Sequence, residues 1–247
     1  MNHHQPRAGS ARPGSFHLFP IAGLVLGLLG LQLAPSGWAA VTYSYDDGTA
    51  ERAIGIDPGE DSLWFNRFAV ALGGEVITSI SAAFGRPGIT VALNGLPIKV
   101  LLYEDIDGGS PWNAVLKRSV DGVVSNANTN TLNVFNIPPT EVHGTLLAAM
   151  LLRNRTTENK FIAALDQTAP TVSDASFYAF TVGDMDETNL GSVPAGQFGT
   201  IESLGFAGNW LIRANGTTVP EPTSLALLVV ASGAILMRSR SRHSVCR

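Results

Sequence analysis

The chain has 247 residues, 45% of them apolar, and a formal net charge of −4; that length holds one large domain or two small ones. Between residues 41 and 218 there are nineteen Asp and Glu against ten Lys and Arg, which argues against nucleic acid as a partner because neutralising phosphates needs clustered cations. The one cysteine, Cys246, lies near the C-terminus, so this central segment has neither a disulfide nor a thiol nucleophile, and it is long enough to bury a core without cross-links.

In chain order, the first feature is an export signal. Arg7 and Arg12 are accompanied by no acidic residue, and residues 21–33 are apolar apart from Gln32 and several glycines. The small residues Gly37, Ala39 and Ala40 follow. A basic start, a short apolar centre and a small-residue exit define a secretory signal, which makes residues 1–40 a signal helix cleaved after Ala39 or Ala40. The apolar run is shorter than the roughly 17–25 residues a spanning helix needs.

Residues 41–218 have the rhythm of an all-β domain. Short apolar or alternating runs recur at 41–45, 65–72, 76–84, 98–103, 115–120, 131–137, 145–152, 161–165, 176–181 and 210–214. Gly73-Gly74, Asn94-Gly95, Asp107-Gly108-Gly109, Asp121-Gly122 and Gly183-Asp184 separate them, and such pairs supply the positive φ of tight hairpins. This spacing predicts a two-sheet antiparallel β-sandwich. In 67–72 the larger residues Phe68, Val70 and Leu72 fall on one side, as in a strand covered on one face. Residues 146–152 are rich in Leu, Ala and Met, good helix formers, yet their place after Pro138-Pro139 and the His143-Gly144 turn favours a strand. Residues 184–208 read as a long irregular loop and 215–219 as a linker.

The end of the chain mirrors its start. Residues 225–237 are apolar apart from Ser232 and Gly233, and Arg238, Arg240, Arg242 and Arg247 follow. Counted from Pro222, the run is just short of a bilayer crossing, and the arginines act as a stop-transfer signal that keeps this end in the cytoplasm. The expected form is a single C-terminal transmembrane helix with the β-domain on the outer side.

Val219-Pro220-Glu221-Pro222-Thr223-Ser224, the apolar run and the arginine-rich end together resemble the PEP-CTERM sorting signal. Pro220 and Pro222 lack backbone donors and keep the segment extended ahead of the helix. The resemblance implies an exosortase-type processing enzyme as partner in a Gram-negative bacterium that makes exopolysaccharide. It also implies an inner-membrane-anchored precursor with a periplasmic domain, later delivered to the cell surface or matrix. The domain itself resembles, more loosely, jelly-roll-type β-sandwich modules of bacterial secreted proteins, through residues 45–51, 98–111 and 210–214. That second likeness bears on fold, not on activity.

Sites in the domain are few. Its one histidine, His143, sits in a turn, and a lone His without Cys cannot assemble an ordinary zinc site or suggest more than a surface residue. Asp46, Asp47, Asp105 and Asp107, with Glu51, put carboxylate oxygens in turns, which suits calcium but equally suits ordinary hairpins. Trp64, Tyr103, Trp112 and Trp210 raise the question of sugar stacking, with Trp112 expected to be the exposed one. The leading expectation is a non-enzymatic structural or adhesive surface protein. A carbohydrate-binding module acting on exopolysaccharide is the first alternative, and a secreted hydrolase using paired carboxylates the second.

Overall fold

The computed structural model describes residues 40–168 and 170–219. The expected signal helix, the Pro-Glu-Pro motif beyond Val219, the transmembrane helix and the arginines lie outside the described residues. Within them the chain is all-β and antiparallel. Thirteen strands follow in order: β1 (Val41–Tyr43), β2 (Arg52–Ile56), β3 (Glu60–Ala69), β4 (Val76–Ala82), β5 (Pro97–Asp105), β6 (Val115–Val123), β7 (Asn133–Glu141), β8 (Thr145–Arg153), β9 (Lys160–Asp166), β10 (Ser176–Val182), β11 (Phe198–Thr200), β12 (Asn209–Trp210) and β13 (Ile212–Thr217). The helical segments among the described residues are single 3-10 turns at Pro111–Asn113, Leu190–Ser192 and Ile201–Leu204, and none is long and apolar enough to cross a membrane.

The strands make a six-stranded sheet, β11-β10-β3-β8-β5-β6, and two smaller ones, β1-β13-β4-β7 and β12-β9-β2. A bridge between Phe84 and Ala163 joins the smaller two. Alternation along β3, β5 and β8 sends Trp64, Phe68, Val100, Leu102, Leu146, Ala148 and Met150 inward to meet Ile77, Ile80, Ile162, Leu165 and Ile212 in one core. The other parity is buried as well. Leu63, Phe65, Leu101, Tyr103, Leu147, Ala149 and Leu151 are covered by Phe177, Met185, Leu190 and Val193. A sheet covered on both faces needs no polar parity, which explains why β8 is apolar from Leu146 to Leu152; every residue from Thr145 to Leu152 is buried.

Asn66 links the layers. Fully buried in β3, it donates from Nδ2 to the carbonyls of Trp210 at 2.8 Å and Ile212 at 3.0 Å, and its Oδ1 accepts from Ser176 Oγ at 2.7 Å. Each group of the amide is thus satisfied in a place where leaving one unpaired is costly.

Several expectations are corrected. The strand read at 65–72 starts at Glu60 and stops at Ala69, so Leu72 is not on the core side; it is 96% exposed. β2 was not foreseen, because Arg52-Ala53-Ile54-Gly55-Ile56 holds two large apolar residues and a glycine. Gly55 lies close under the ring of Phe161, its cross-strand partner: a Cβ would come 3.0 Å from it. β7 runs through Pro138-Pro139 instead of ending before them, which is tolerated because β7 is an edge strand. Residues 215–217 are the end of β13, not linker, and the loop at 184–208 contains β11 and two 3-10 turns. Gly144, at φ +66°, makes the expected turn before β8, and a Cβ there would press to 2.8 Å from the carbonyl of Ile106.

Candidate functional site

The residues singled out for calcium are held by protein groups. Asp46, its side chain shielded from solvent, receives a forked bond from Arg213, with Nε to Oδ1 at 3.0 Å and Nη2 to Oδ1 at 2.6 Å. This pair ties the loop after β1 to β13, and the Asp46 carboxylate raises the arginine's pKa. Asp47 is turned to its own loop, accepting from the Thr49 amide at 2.8 Å and the Thr49 hydroxyl. Asp105 lies buried at the end of β5 with Arg67 at 3.6 Å, while Asp107 accepts from Gly109 N at 2.8 Å and Asn113 Nδ2 at 3.1 Å. Burial, then the neighbouring Asp107, pushes the Asp105 carboxyl up. Glu51 accepts from the Gln167 amide at 2.8 Å. No group of three or more His, Cys, Asp or Glu is placed to hold a metal among the described residues.

The aromatic candidates also find packing roles. Trp64 and Trp210 are buried, and Trp210 Nε1 donates to the Phe177 carbonyl at 2.8 Å. Tyr103 is buried, its hydroxyl donates to the Glu187 carbonyl at 2.8 Å, and burial raises its pKa. Trp112 was expected to stand free; instead it is half-buried against Phe198, Phe65 and Phe177, with ring centroids 4.2, 5.8 and 6.3 Å away. Its turn closes over the outer face of the large sheet, so the ring serves that second core. His143 is exposed, with Nε2 3.6 Å from Glu141, in keeping with a surface turn.

The same outer face is locked by charge. Arg153, at the end of β8, bonds to buried Asp61 of β3 and to Glu187. Asp61 also meets Arg155 at 2.7 Å and accepts the Met185 amide at 2.8 Å, while Lys99 reaches Glu187 at 2.6 Å. These bonds staple residues 185–187 across β3, β8 and β5.

An open cleft of about 310 Å³ lies where β2 faces β3 and β10. Tyr178 and Phe180 line one wall from alternate positions of β10, with centroids 6.1 Å apart and planes within 12°. Ile54, Ile56 and Leu204 line it as well, buried Trp64 and Trp210 contribute to it, and Asp57 and Glu60 add carboxylates. Glu60 Oε2 accepts from the Asp57 amide at 3.2 Å, so both carboxylates belong to one turn and do not oppose each other across the opening. Of this lining the sequence alone singled out Trp64 and Trp210, which prove to be buried, and not Tyr178 or Phe180. The signal was present in Ser176-Phe177-Tyr178-Ala179-Phe180, whose alternation sends Phe177 to the outer core and Tyr178 and Phe180 to the cleft.

No protein-family model matches the chain, and no curated protein matches it. Among solved structures, the clostridial cysteine protease Cwp84 after propeptide cleavage is similar at 15% identity and a TM-score of 0.46, over 73% of this chain. The match spans 40% of that protein's length. A likeness this faint assigns neither a fold nor an activity.

Proposed function

We propose that the protein is an exported surface protein whose β-domain has a structural or adhesive, non-catalytic role. In this reading residues 1–40 direct export, residues 225–237 hold a precursor in the inner membrane with a periplasmic domain, and an exosortase-type enzyme acts near Val219, Pro220, Glu221 and Pro222 on the way to the cell surface. The observation that carries the reading is the three-part C-terminus: the Pro-Glu-Pro motif, an apolar run and Arg238, Arg240 and Arg242, in a chain whose residues 1–40 have the basic start, apolar centre and small-residue exit expected of an export signal. β13 ends at Thr217, two residues before Val219, so the motif follows the last strand of the described residues directly.

Two features support a non-catalytic domain. Buried Asp61, Glu104 and Asp105 and shielded Asp46 each face an arginine or lysine, and the one histidine of the domain lies exposed in a turn. Neighbours far apart in the chain, β3 beside β8 and β10 in one sheet and β4 beside β7 and β13 in another, mean that the chain passes from sheet to sheet between them, which supports the reading of a jelly-roll-type sandwich.

Deleting residues 219–247 tests the address. The account expects a folded domain that leaves the membrane fraction and is released in soluble form. Retention in the membrane fraction after the deletion would overturn the anchor.

A further inference from the structure

We infer that the cleft between β2 and β10 is a binding site for a neutral sugar unit of a glycan, with Tyr178 and Phe180 as its stacking wall. The inference deepens the exported-surface reading and rests on it only for where the glycan would be met. A pyranose ring has an apolar C–H face and a rim of hydroxyl donors. Here an aromatic wall meets an aliphatic one, and two carboxylates supply acceptors at one end.

Size and charge narrow the occupant. Pockets for small ligands start at about 300 Å³, so a cleft of about 310 Å³ takes one or two rings and leaves the rest of a chain outside. Asp57 is exposed and Glu60 half-exposed, in a domain already rich in carboxylates, and together they repel uronates and phosphates. A quaternary ammonium needs aromatic faces on several sides. Tyr178 and Phe180 project from one strand with near-parallel rings, Trp64 and Trp210 are only 2% and 1% exposed, and Ile54, Ile56 and Leu204 are aliphatic, so accessible aromatic faces line one side and do not form a cage.

The aromatic pair also has the right support. Half-buried Tyr178 packs against the main core, which holds the ring before any ligand arrives. Preorganised aromatics bind at low entropic cost. Trp64 and Trp210, 2% and 1% exposed, lie beneath the same cleft, so their emission is expected to report an occupant packed above them.

The test is a titration of the full-length chain, in a detergent without a sugar headgroup, with neutral gluco-, manno- and galacto-tetrasaccharides, followed by tryptophan fluorescence. One of these is expected to shift the emission saturably. Phe180→Leu, which keeps apolar bulk but removes the ring, should weaken that binding at least tenfold, and Glu60→Gln at least threefold; Tyr178→Phe should stay within about threefold of the parent. Thermal midpoints of the variants identify any that fail to fold, and Glu60→Gln at the rim keeps the test decisive if Phe180→Leu is one of them. Silence with all three series, or undiminished affinity in folded Phe180→Leu or in Glu60→Gln, would overturn the inference. So would saturable binding of choline or of a uronate tetrasaccharide in place of the neutral ones. A negative titration leaves the membrane fractionation of the tail deletion unaffected, so failure of this site and failure of the surface assignment are told apart.

Discussion

Asp61 and Arg153 stand directly opposite each other on β3 and β8, and the guanidinium that neutralises the buried carboxylate also bonds Glu187 of the covering loop. One arginine therefore solves two problems: a charge in the interior of the sheet and the attachment of a segment with little regular structure. Removing one partner of a buried pair costs about 3–5 kcal/mol, and Arg155, also at Asp61, offsets part of that here. Arg153→Ala is expected to lower stability by about 3 kcal/mol in urea unfolding. The double variant Asp61→Asn, Arg153→Met should recover a good part of the loss. A double variant no better than the single one would show that the buried charge is not what the arginine serves.

Asn66 makes a second, independent test of how the layers are joined. Its amide fills three hydrogen-bonding positions between β3, β10 and the β12–β13 corner. Asn66→Ala leaves two carbonyls and a serine hydroxyl without that partner, at about 1–3 kcal/mol per buried unsatisfied group before relaxation. A net loss of about 2–4 kcal/mol is expected from the urea midpoint at unchanged slope; a change below about 0.5 kcal/mol would mean that water replaces the amide.

Calcium is expected to leave the domain's thermal midpoint unchanged. The forked Arg213 bond occupies Asp46 and Arg67 faces Asp105, so the two sets of aspartates are each already served by a cation. A rise in midpoint with millimolar calcium, reversed by a chelator, would contradict this, because a ligand that binds only the folded state must stabilise it.

Glu104 governs part of the response to acid. Burial pushes its carboxyl up, but the Lys117 ammonium at 2.9 Å and the His143 amide at 2.7 Å outweigh burial and hold it below the usual range. A carboxyl lowered on folding contributes stability that is present above its unfolded value, 4.5, and lost as pH falls through the folded one. The thermal midpoint should therefore drop as pH falls below about 4.5. Glu104→Gln should be less stable at neutral pH and should show a shallower acid decline. An identical acid slope in the variant would place the effect elsewhere.

Much of this architecture is legible in the chain because turn chemistry and alternation repeat along it. β4, β5, β6, β9 and β10 sit close to where alternating runs and Gly-containing turns put them. β8 shows the limit: Leu146 to Leu152 carries no period, and the reason becomes visible only once residues 185–193 are seen to cover the second face of the sheet. β2 shows another limit, since its partner strand β9, with Phe161 set opposite Gly55, lies more than a hundred positions away. The charged side chains were the least readable. Asp46 and Asp105 look alike as turn residues, and only the partners folded against them, Arg213 and Arg67, decide what they do. Tyr178 and Phe180 lay in plain alternation, but nothing in the sequence shows that β2 would form the other side of a cleft.

The most direct test of the surface assignment is the intact mass of the protein isolated from the cells that make it. The account predicts a product that begins after Ala39 or Ala40 and ends near Pro220–Pro222, with Arg238, Arg240 and Arg242 removed. A mass equal to the full 247 residues, in a water-soluble product that retains both ends, would contradict it.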